Sequence, residues 1–524
     1  MMHCTMRTGS VLIIFVAFLI ALSKCSRLLI VFPMMAPSHY NLGSSLAKGL
    51  AEAGHDVTII APYKEKTIPK DWKYREIVLD GFLDRKEKEQ INLFDFANTP
   101  PVITLFGMNG LGNEVTDLTF AHPNVQKLLK DKNEKFDSVI VEQFVNDAMK
   151  YFAYHFNAPL VSFSTVGANA WVNPLVGNPA PPSFVPEIFL SYSSRMSFVE
   201  RLKNTLFSVI SELNRHLIFF PAQNRILHKY YPDAPDLKDL LYNNSLILLN
   251  SHVSTNPPVP LLPNMIDIGG FHVKPAKTLP KDLKDFIEGA KHGVIYFSMG
   301  SNIRSKDFPE KMRTNLLNVL KSLKQRVIWK FEDENLPGKP DNVLISKWLP
   351  QNDILGHQNV KLFITHGGLL STTETIYHGV PVLTIPIFGD QKMNAAQMVL
   401  QGFAQSIYFE DLNYENKIRN ALNEVLTNPK YAGIAKQRSK IMHDQPLKPL
   451  DSAIFWIEYV IRHKGASHLR IAGLDLAWYQ YISLDVYVFV SSVSILIALI
   501  LVKLCKMICC KKTISKTDKV KKNK

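Results

Sequence analysis

Cysteine is nearly missing from this chain of 524 residues. All five, Cys4, Cys25, Cys505, Cys509 and Cys510, lie in the end segments, and the stretch from Arg27 to Asp485 has none. No disulfide can staple that body, and metal–thiolate centres and cysteine nucleophiles are excluded from it. Its stability must come from large apolar cores, which this length can supply. Concentrated positive charge is also missing from the body. The net charge is +14, but Lys503 to Lys524 holds nine Lys and one Asp, a net +8, and only +6 is spread over the rest. No basic run with interleaved aromatics occurs there, so nucleic acid is disfavoured as a partner. Nothing in the sequence fixes the oligomeric state, and a homo-oligomer stays open.

Long apolar runs are confined to the ends. Arg7, the apolar run Val11 to Leu22 and the small residues Ser23 and Cys25 read as a secretory signal peptide cleaved near Cys25 or Ser26. Val486 to Val502 is uncharged and mostly apolar, with Tyr481, Tyr487 and Lys503 at the places of interface anchors, so it reads as one transmembrane helix. The Lys-rich end should stay cytosolic by the positive-inside rule, giving a type I topology with the body in the lumen. Lys521-Lys522-Asn523-Lys524 resembles the dilysine retrieval signal of endoplasmic reticulum membrane proteins; a basic tail against anionic lipid is the other reading. Cys505, Cys509 and Cys510 beside the membrane suit palmitoylation or inert packing equally.

A hydrophobic content of 46% over this length implies two domains. Arg27–Phe32, Asn41–Ala53 and Asp56–Ile60 make a strand–helix–strand start, and Val294–Phe297, Glu310–Leu323 and Arg326–Phe331 repeat it. Two Rossmann-like α/β halves are implied. Val273 to Asp285, charged and proline-punctuated, is the best linker. The expected divisions are a signal peptide at 1–25, domains at 26–272 and 286–450, helices returning toward the N-terminal half at 451–485, a span at 486–502 and a basic tail at 503–524. Pro181 to Tyr231, rich in Phe, Leu and Pro, either lines a pocket or rests on the membrane surface. Asn243-Asn244-Ser245 is the only N-glycosylation sequon, which makes Asn243 the candidate acceptor.

Most of the chemistry lies between Trp348 and Gln391. The apolar strand Leu362 to Thr365 runs into His366, Gly367 and Gly368, and a helical stretch to His378 follows. Unpaired N–H groups at such a helix start attract a diphosphate, and glycines let it approach. Ser371 and His366 can add donors, and Glu374 can accept both hydroxyls of a ribose. Trp348 offers a stacking face and Gln351 an amide for a uracil edge. Asp390 and Gln391 would serve sugar hydroxyls. Taken singly, the glycines are usually a turn, Trp348 a core residue and Asp390-Gln391 a helix cap; their joint spacing carries the reading.

These motifs, Trp348-Leu349-Pro350-Gln351, Thr365-His366-Gly367-Gly368, Ser371-Thr372-Thr373-Glu374 and Gly389-Asp390-Gln391, resemble the signature of the UDP-glycosyltransferases, most closely the insect and other animal membrane-bound members. The resemblance extends over nearly the whole chain. It takes in Phe297-Ser298-Met299-Gly300-Ser301, which matches the family's phosphate loop, Gly269-Gly270 before the linker, and Pro37-Ser38-His39. It implies the GT-B arrangement, with an N-terminal acceptor-binding domain and a C-terminal UDP-sugar-binding domain. Ser301, Trp348, Leu349, Gln351, His366, Gly367, Gly368, Ser371, Glu374, Asp390 and Gln391 then form the donor site.

The resemblance also implies that His39, expected in the loop after the first strand, is the base for the acceptor hydroxyl, a role suited to a neutral imidazole. The family's orienting carboxylate falls by register on Glu142, with Asp147 as the alternative. The implied reaction is a single displacement that inverts the anomeric carbon, with His366 and Ser301 beside the departing diphosphate. No metal or other cofactor is expected, since a helix N-terminus replaces the cation and no Asp-x-Asp triplet occurs. UDP-glucose is the favoured donor and UDP-glucuronate the other, with small lipophilic acceptors. The rival reading is a membrane-held binder of lipophilic molecules or UDP-sugar that transfers nothing; a UDP-sugar epimerase is weaker.

Overall fold

Leu28, Ile30 and Phe32 face one way and Leu29 and Val31 the other, and all five are fully buried. A strand apolar on both faces belongs in a parallel sheet covered by helices on each side. In a computed structural model that describes residues 25–89 and 91–521, two such sheets form. The signal-peptide residues before Cys25 and the last three residues of the dilysine-like end lie outside the described residues.

The first sheet contains β1 (Arg27–Val31), followed by α1 (Pro37–Glu52), β2 (Asp56–Ala61) and β3 (Tyr74–Val78). After α2 (Pro101–Ala121) come β4 (Ser138–Gln143) and β5 (Leu160–Ser164), and after α3 (Phe198–Asn214) and α4 (Phe220–Tyr230) come β6 (Asn244–Leu249) and β7 (Met265–Asp267). The strand order is β3-β2-β1-β4-β5-β6-β7, all parallel. The second domain opens with α5 (Lys281–Glu288) and β8 (Val294–Ser298), then α6 (Glu310–Lys321), β9 (Arg326–Lys330) and β10 (Val343–Ser346). It closes with β11 (Val360–Thr365), α7 (Leu369–His378), β12 (Val382–Thr384), α8 (Gln391–Gln401) and β13 (Ala404–Ser406). Its order is β10-β9-β8-β11-β12-β13, again all parallel.

The order in which successive strands are added to each sheet reverses between β1 and β4 and between β8 and β11. At such switch points the loops at the carboxyl ends part and leave a crevice. α9 (Pro449–Arg462) crosses back to the first domain, where Ala453, Ile457 and Val460 join the core formed by Leu28, Ile30, Leu42 and Leu46. A reverse tie comes from the first domain: Phe94 lies in the core of the second, 4.3 Å from Phe308 and stacked 5.3 Å from Phe409.

Several local expectations shift. The linker is non-helical only to Pro280, because α5 begins at Lys281 and buries Leu283 and Ile287. Pro181 to Tyr231 is dominated by helix, with α3 and α4 joined through a π-helical turn at Arg215–Phe219. Residues from Arg470 onward form a separate unit, in which α10 (Leu484–Lys521) contains an apolar stretch, Leu484–Ile508, long enough to cross a membrane. Its helix runs past both ends of the expected span.

Candidate active site

After a short loop from β1, helix α1 starts at Pro37, at whose position a missing N–H costs nothing and the fixed φ suits a helix. His39 is therefore in the first turn of a helix and not in a loop, a correction to the sequence reading. Its Nδ1 is hydrogen-bonded to Glu142 Oε1. Strand alternation explains the choice of partner. Ile140 packs on the face of β4 that α1 covers, so Glu142, two residues on, points to the same side, while Gln143 points to the other. Asp147 lies on that other side, where its Oδ1 accepts from Lys150 Nζ at 2.7 Å and Gln143 Nε2 at 3.0 Å. It does not reach His39. Glu142 is fully buried, and its second oxygen has no protein partner. Phe144 closes on the His39 ring edge-to-face at 4.5 Å.

Across the crevice, Asp390 is held above the usual carboxylate range by burial, opposed by the Asn394 amide and by its proximity to His39. The Asn394 Nδ2 donates to Asp390 Oδ2 at 2.7 Å. Gln391 is buried, and its Oε1 accepts from the N–H groups of Ile387 (2.9 Å) and Phe388 (3.2 Å). Half of that side chain is thus committed to shaping the loop.

The second switch point brings together the glycines. His366, just past β11, packs between Gly300 and Gly368. A Cβ on Gly300 would lie 2.5 Å from the imidazole Cε1, and one on Gly368 would lie 2.4 Å from Nε2. Gly300 and Gly367 also have φ of +83° and +81°, the left-handed region where glycine is favoured. Burial, with the nearby Lys330 charge second, pushes His366 down to about 4, so the ring is neutral at ordinary pH. Gly368 caps α7, and no side-chain cap bonds its first N–H groups. Ser301 is exposed.

On α7, Glu374 Oε2 accepts from Gln351 Nε2, which also donates to Ser371 Oγ at 3.1 Å, and Tyr296 OH donates to Gln351 Oε1 at 3.3 Å. Burial pushes Glu374 up to about 7, with the Gln351 amide pulling the other way. Trp348 stands 75% exposed, a large flat ring in water. Leu349, in contrast, is buried in the core beneath, so it offers a ligand only backbone. Phe144, Tyr296 and Lys330 were not singled out in the sequence; Phe144 follows β4 directly and Lys330 ends β9, positions at the carboxyl edge of a sheet that could have flagged them, whereas Tyr296 lies in the middle of β8.

Two cavities adjoin through Val166. One, of about 190 Å³, lies between the domains and is lined by Ser251 and His252 on one side and Leu369, Thr372 and Met393 on the other. The other, of about 40 Å³, shares Phe144 with His39 and is lined by Leu105, Trp171, Phe219 and Phe220. The larger touches the start of α7; the smaller is nearer the base. Among the described residues no three His, Cys, Asp or Glu side chains converge as metal ligands would.

Comparison with known proteins matches residues 28–520 to the family described as UDP-glucoronosyl and UDP-glucosyl transferase. A UDP-glycosyltransferase of Dactylopius coccus is 39% identical over 482 residues, covering 90% of each chain. UDP-glucosyltransferase 2 of the same insect is 35% identical, covering 96% of this chain and 98% of that one. The human 2-hydroxyacylsphingosine 1-beta-galactosyltransferase is 34% identical, covering 89% and 86%. Among solved structures, the calicheamicin glycosyltransferase superposes with a TM-score of 0.57 at 15% identity, covering 84% of this chain and 99% of that one. Such neighbours show the GT-B fold.

Proposed function

This chain belongs to the UDP-glucuronosyl and UDP-glucosyl transferase family and is a glycosyltransferase, and from that premise we propose that it moves glucose from UDP-glucose, with inversion, onto hydroxyl groups of small lipophilic molecules. The observation that carries the reading is the His39–Glu142 pair, held on one domain and facing Asp390 on the other. With Glu142 accepting the Nδ1 proton, Nε2 is left with a lone pair for the acceptor hydroxyl. As the proton moves to His39, the acceptor oxygen attacks the anomeric carbon and the bond to the UDP oxygen breaks on the opposite face. An α-linked donor becomes a β-linked product. The buried carboxylate steadies the imidazolium that forms.

The departing diphosphate is assigned to the N-terminus of α7 with Gly367, Gly368, Ser371, His366 and Ser301. Trp348 stacks on uracil, Gln351 reads its edge, Glu374 takes the ribose hydroxyls, and Asp390 with the free amide of Gln391 takes the sugar. In this scheme the helix terminus does the work of a cation, so activity should survive chelators. Glucose is favoured by the likeness to the UDP-glucosyltransferase of Dactylopius, and the galactosyltransferase relative supports a lipid-like acceptor. The protein is placed in the endoplasmic reticulum membrane, with a lumenal body and a cytosolic Lys-rich tail. Asn243 is exposed, as glycosylation requires.

The test is UDP release from microsomes containing this chain, given UDP-glucose, UDP-glucuronate or UDP-galactose with phenols and aliphatic alcohols. Acceptor-dependent turnover with UDP-glucose, reduced roughly 10² to 10⁴-fold by His39→Ala, is expected. Donor binding with no turnover on any acceptor would favour the non-catalytic binder.

A further inference from the structure

The small cavity beside Phe144 carries on its wall a carboxylate that the transfer step does not use. Asp147 lines it and is 4% exposed. Its Oδ1 accepts from Lys150 Nζ at 2.7 Å and from Gln143 Nε2 at 3.0 Å, and Lys150 Nζ donates to Gln143 Oε1 as well. Lys150 is itself 2% exposed, so each charge of the pair depends on the other. Oδ2 is the polar atom that Asp147 has left to offer the cavity. Buried carboxylate oxygens are rarely left without a donor, and here the cavity is where one can come from.

The turn that carries Asp147 is strained. Val145, between Phe144 and Asn146, has φ of +49°, an outlier for a β-branched residue. Gly112 on α2 makes room for it, because a Cβ there would run into Val145 O, and Asn146 Oδ1 accepts from Phe144 N at 3.0 Å. Strain of this kind persists where the surroundings over-determine it, and it clusters at ligand sites. This one turn sets Phe144 against His39 and Asp147 on the cavity wall.

Size and lining restrict what can enter. The cavity holds about 40 Å³, and one water needs roughly 10–15 Å³, so it takes the end of a molecule and not the whole. Phe144, Trp171, Phe219 and Phe220 stand around it, which suits a flat ring. A cationic end would meet Arg215 on the wall and Lys150 behind Asp147, and an anionic end would meet Asp147 itself. A neutral hydroxyl fits. We propose that Asp147 Oδ2 accepts a hydrogen bond from a second hydroxyl of the acceptor, so that the enzyme selects flat, neutral molecules hydroxylated at both ends, one end at His39 and the other in this cavity. The place of the first hydroxyl rests on His39 as the base; that of the second does not.

The test is equilibrium binding to the full chain in phosphatidylcholine vesicles with UDP present. Hydroquinone, a naphthalenediol and a biphenyldiol, with hydroxyls at opposite ends, differ in reach. Each is paired with its monomethyl ether, which keeps one hydroxyl but cannot donate from the other end. On at least one skeleton the diol should bind about tenfold tighter than the ether, the worth of a hydrogen bond to a charged group. Asp147→Asn should reverse that preference. Lys150 and Gln143 both donate, so they hold the amide oxygen and turn its N–H toward the cavity, where it can donate to an ether oxygen. A merely structural role would weaken both ligands alike. UDP binding checks the fold of each variant. Should Asp147→Asn fail that check, Asp147→Leu with Lys150→Met leaves no unpaired charge and should bring the two affinities together. Equal binding of diol and ether on all three skeletons, or a preference that the folded variant leaves unchanged, overturns the proposal. Turnover of the same ligands is read separately: a diol preference without sugar transfer sinks the transfer reaction and upholds the Asp147 contact.

Discussion

Glu142→Gln keeps the shape of a fully buried side chain and removes its charge. In the wild type the carboxylate faces an imidazolium as the acceptor proton arrives. Two unit charges about 4 Å apart at an effective dielectric near 20 interact by about 4 kcal/mol, and each 1.4 kcal/mol is roughly tenfold in rate. The amide can also donate to His39 Nδ1, which moves the ring proton to Nε2 and blocks the base. Glu142→Gln should therefore lower kcat for aliphatic alcohols by about 10² to 10³-fold. Phenols, nearer to ionisation on their own, should lose less. KM for UDP-glucose should hardly change, since Glu142 and the donor residues belong to different domains. Initial-rate UDP release on both acceptor classes, with isothermal titration of UDP, measures each part. A loss under threefold, or equal loss on both classes, would refute the base–carboxylate assignment. Asp147→Asn is the contrast: it leaves Lys150 buried beside a weaker partner, so its main effect should be a lower melting temperature.

Trp348→Ala should weaken UDP binding by about 1–3 kcal/mol with no loss of thermal stability, because the ring is exposed, and Trp348→Phe should restore most of it; equal affinity in all three by titration would remove the stacking role. Gly368→Ala pushes a methyl into His366 Nε2 and should weaken UDP binding about tenfold or more, read in the same titration. Glu187 is 2% exposed, and burial pushes it up to about 7, with the Ser208 hydroxyl and the Arg215 charge pulling the other way. A raised folded pKa means that its stabilising share is full below about 4.5 and is lost as pH rises through 7. Glu187→Gln should flatten the fall in melting temperature between pH 5 and 8, a difference of about 2–3 kcal/mol; an unchanged profile would mean the carboxyl does not titrate there.

The parts of this molecule that were legible in the sequence are those encoded over short distances. The central strands announce themselves as apolar runs, and the donor segment from Trp348 to Gln391 is continuous in the chain. What escaped depends on tertiary direction. Periodicity showed a helix start near Asn41 but not that Pro37 would begin it early enough to take in His39. The choice between Glu142 and Asp147 stayed open because both stand near the carboxyl end of the same strand, although alternation from Ile140 already placed Glu142 on the helix side. Leu349 matches a donor motif, yet its side chain serves the core. Phe94 had no local signal, since its partners Phe308 and Phe409 are hundreds of residues away.

That aromatic plug bears on how the two halves can be handled. The second domain's core is completed by a residue it does not encode, so expressed alone it would carry an open aromatic socket between Phe308 and Phe409 and be prone to stick to itself. A chimera that joins this donor half to another acceptor half inherits the same requirement: the incoming half must bring a ring to the place of Phe94, whatever molecules its own pocket accepts.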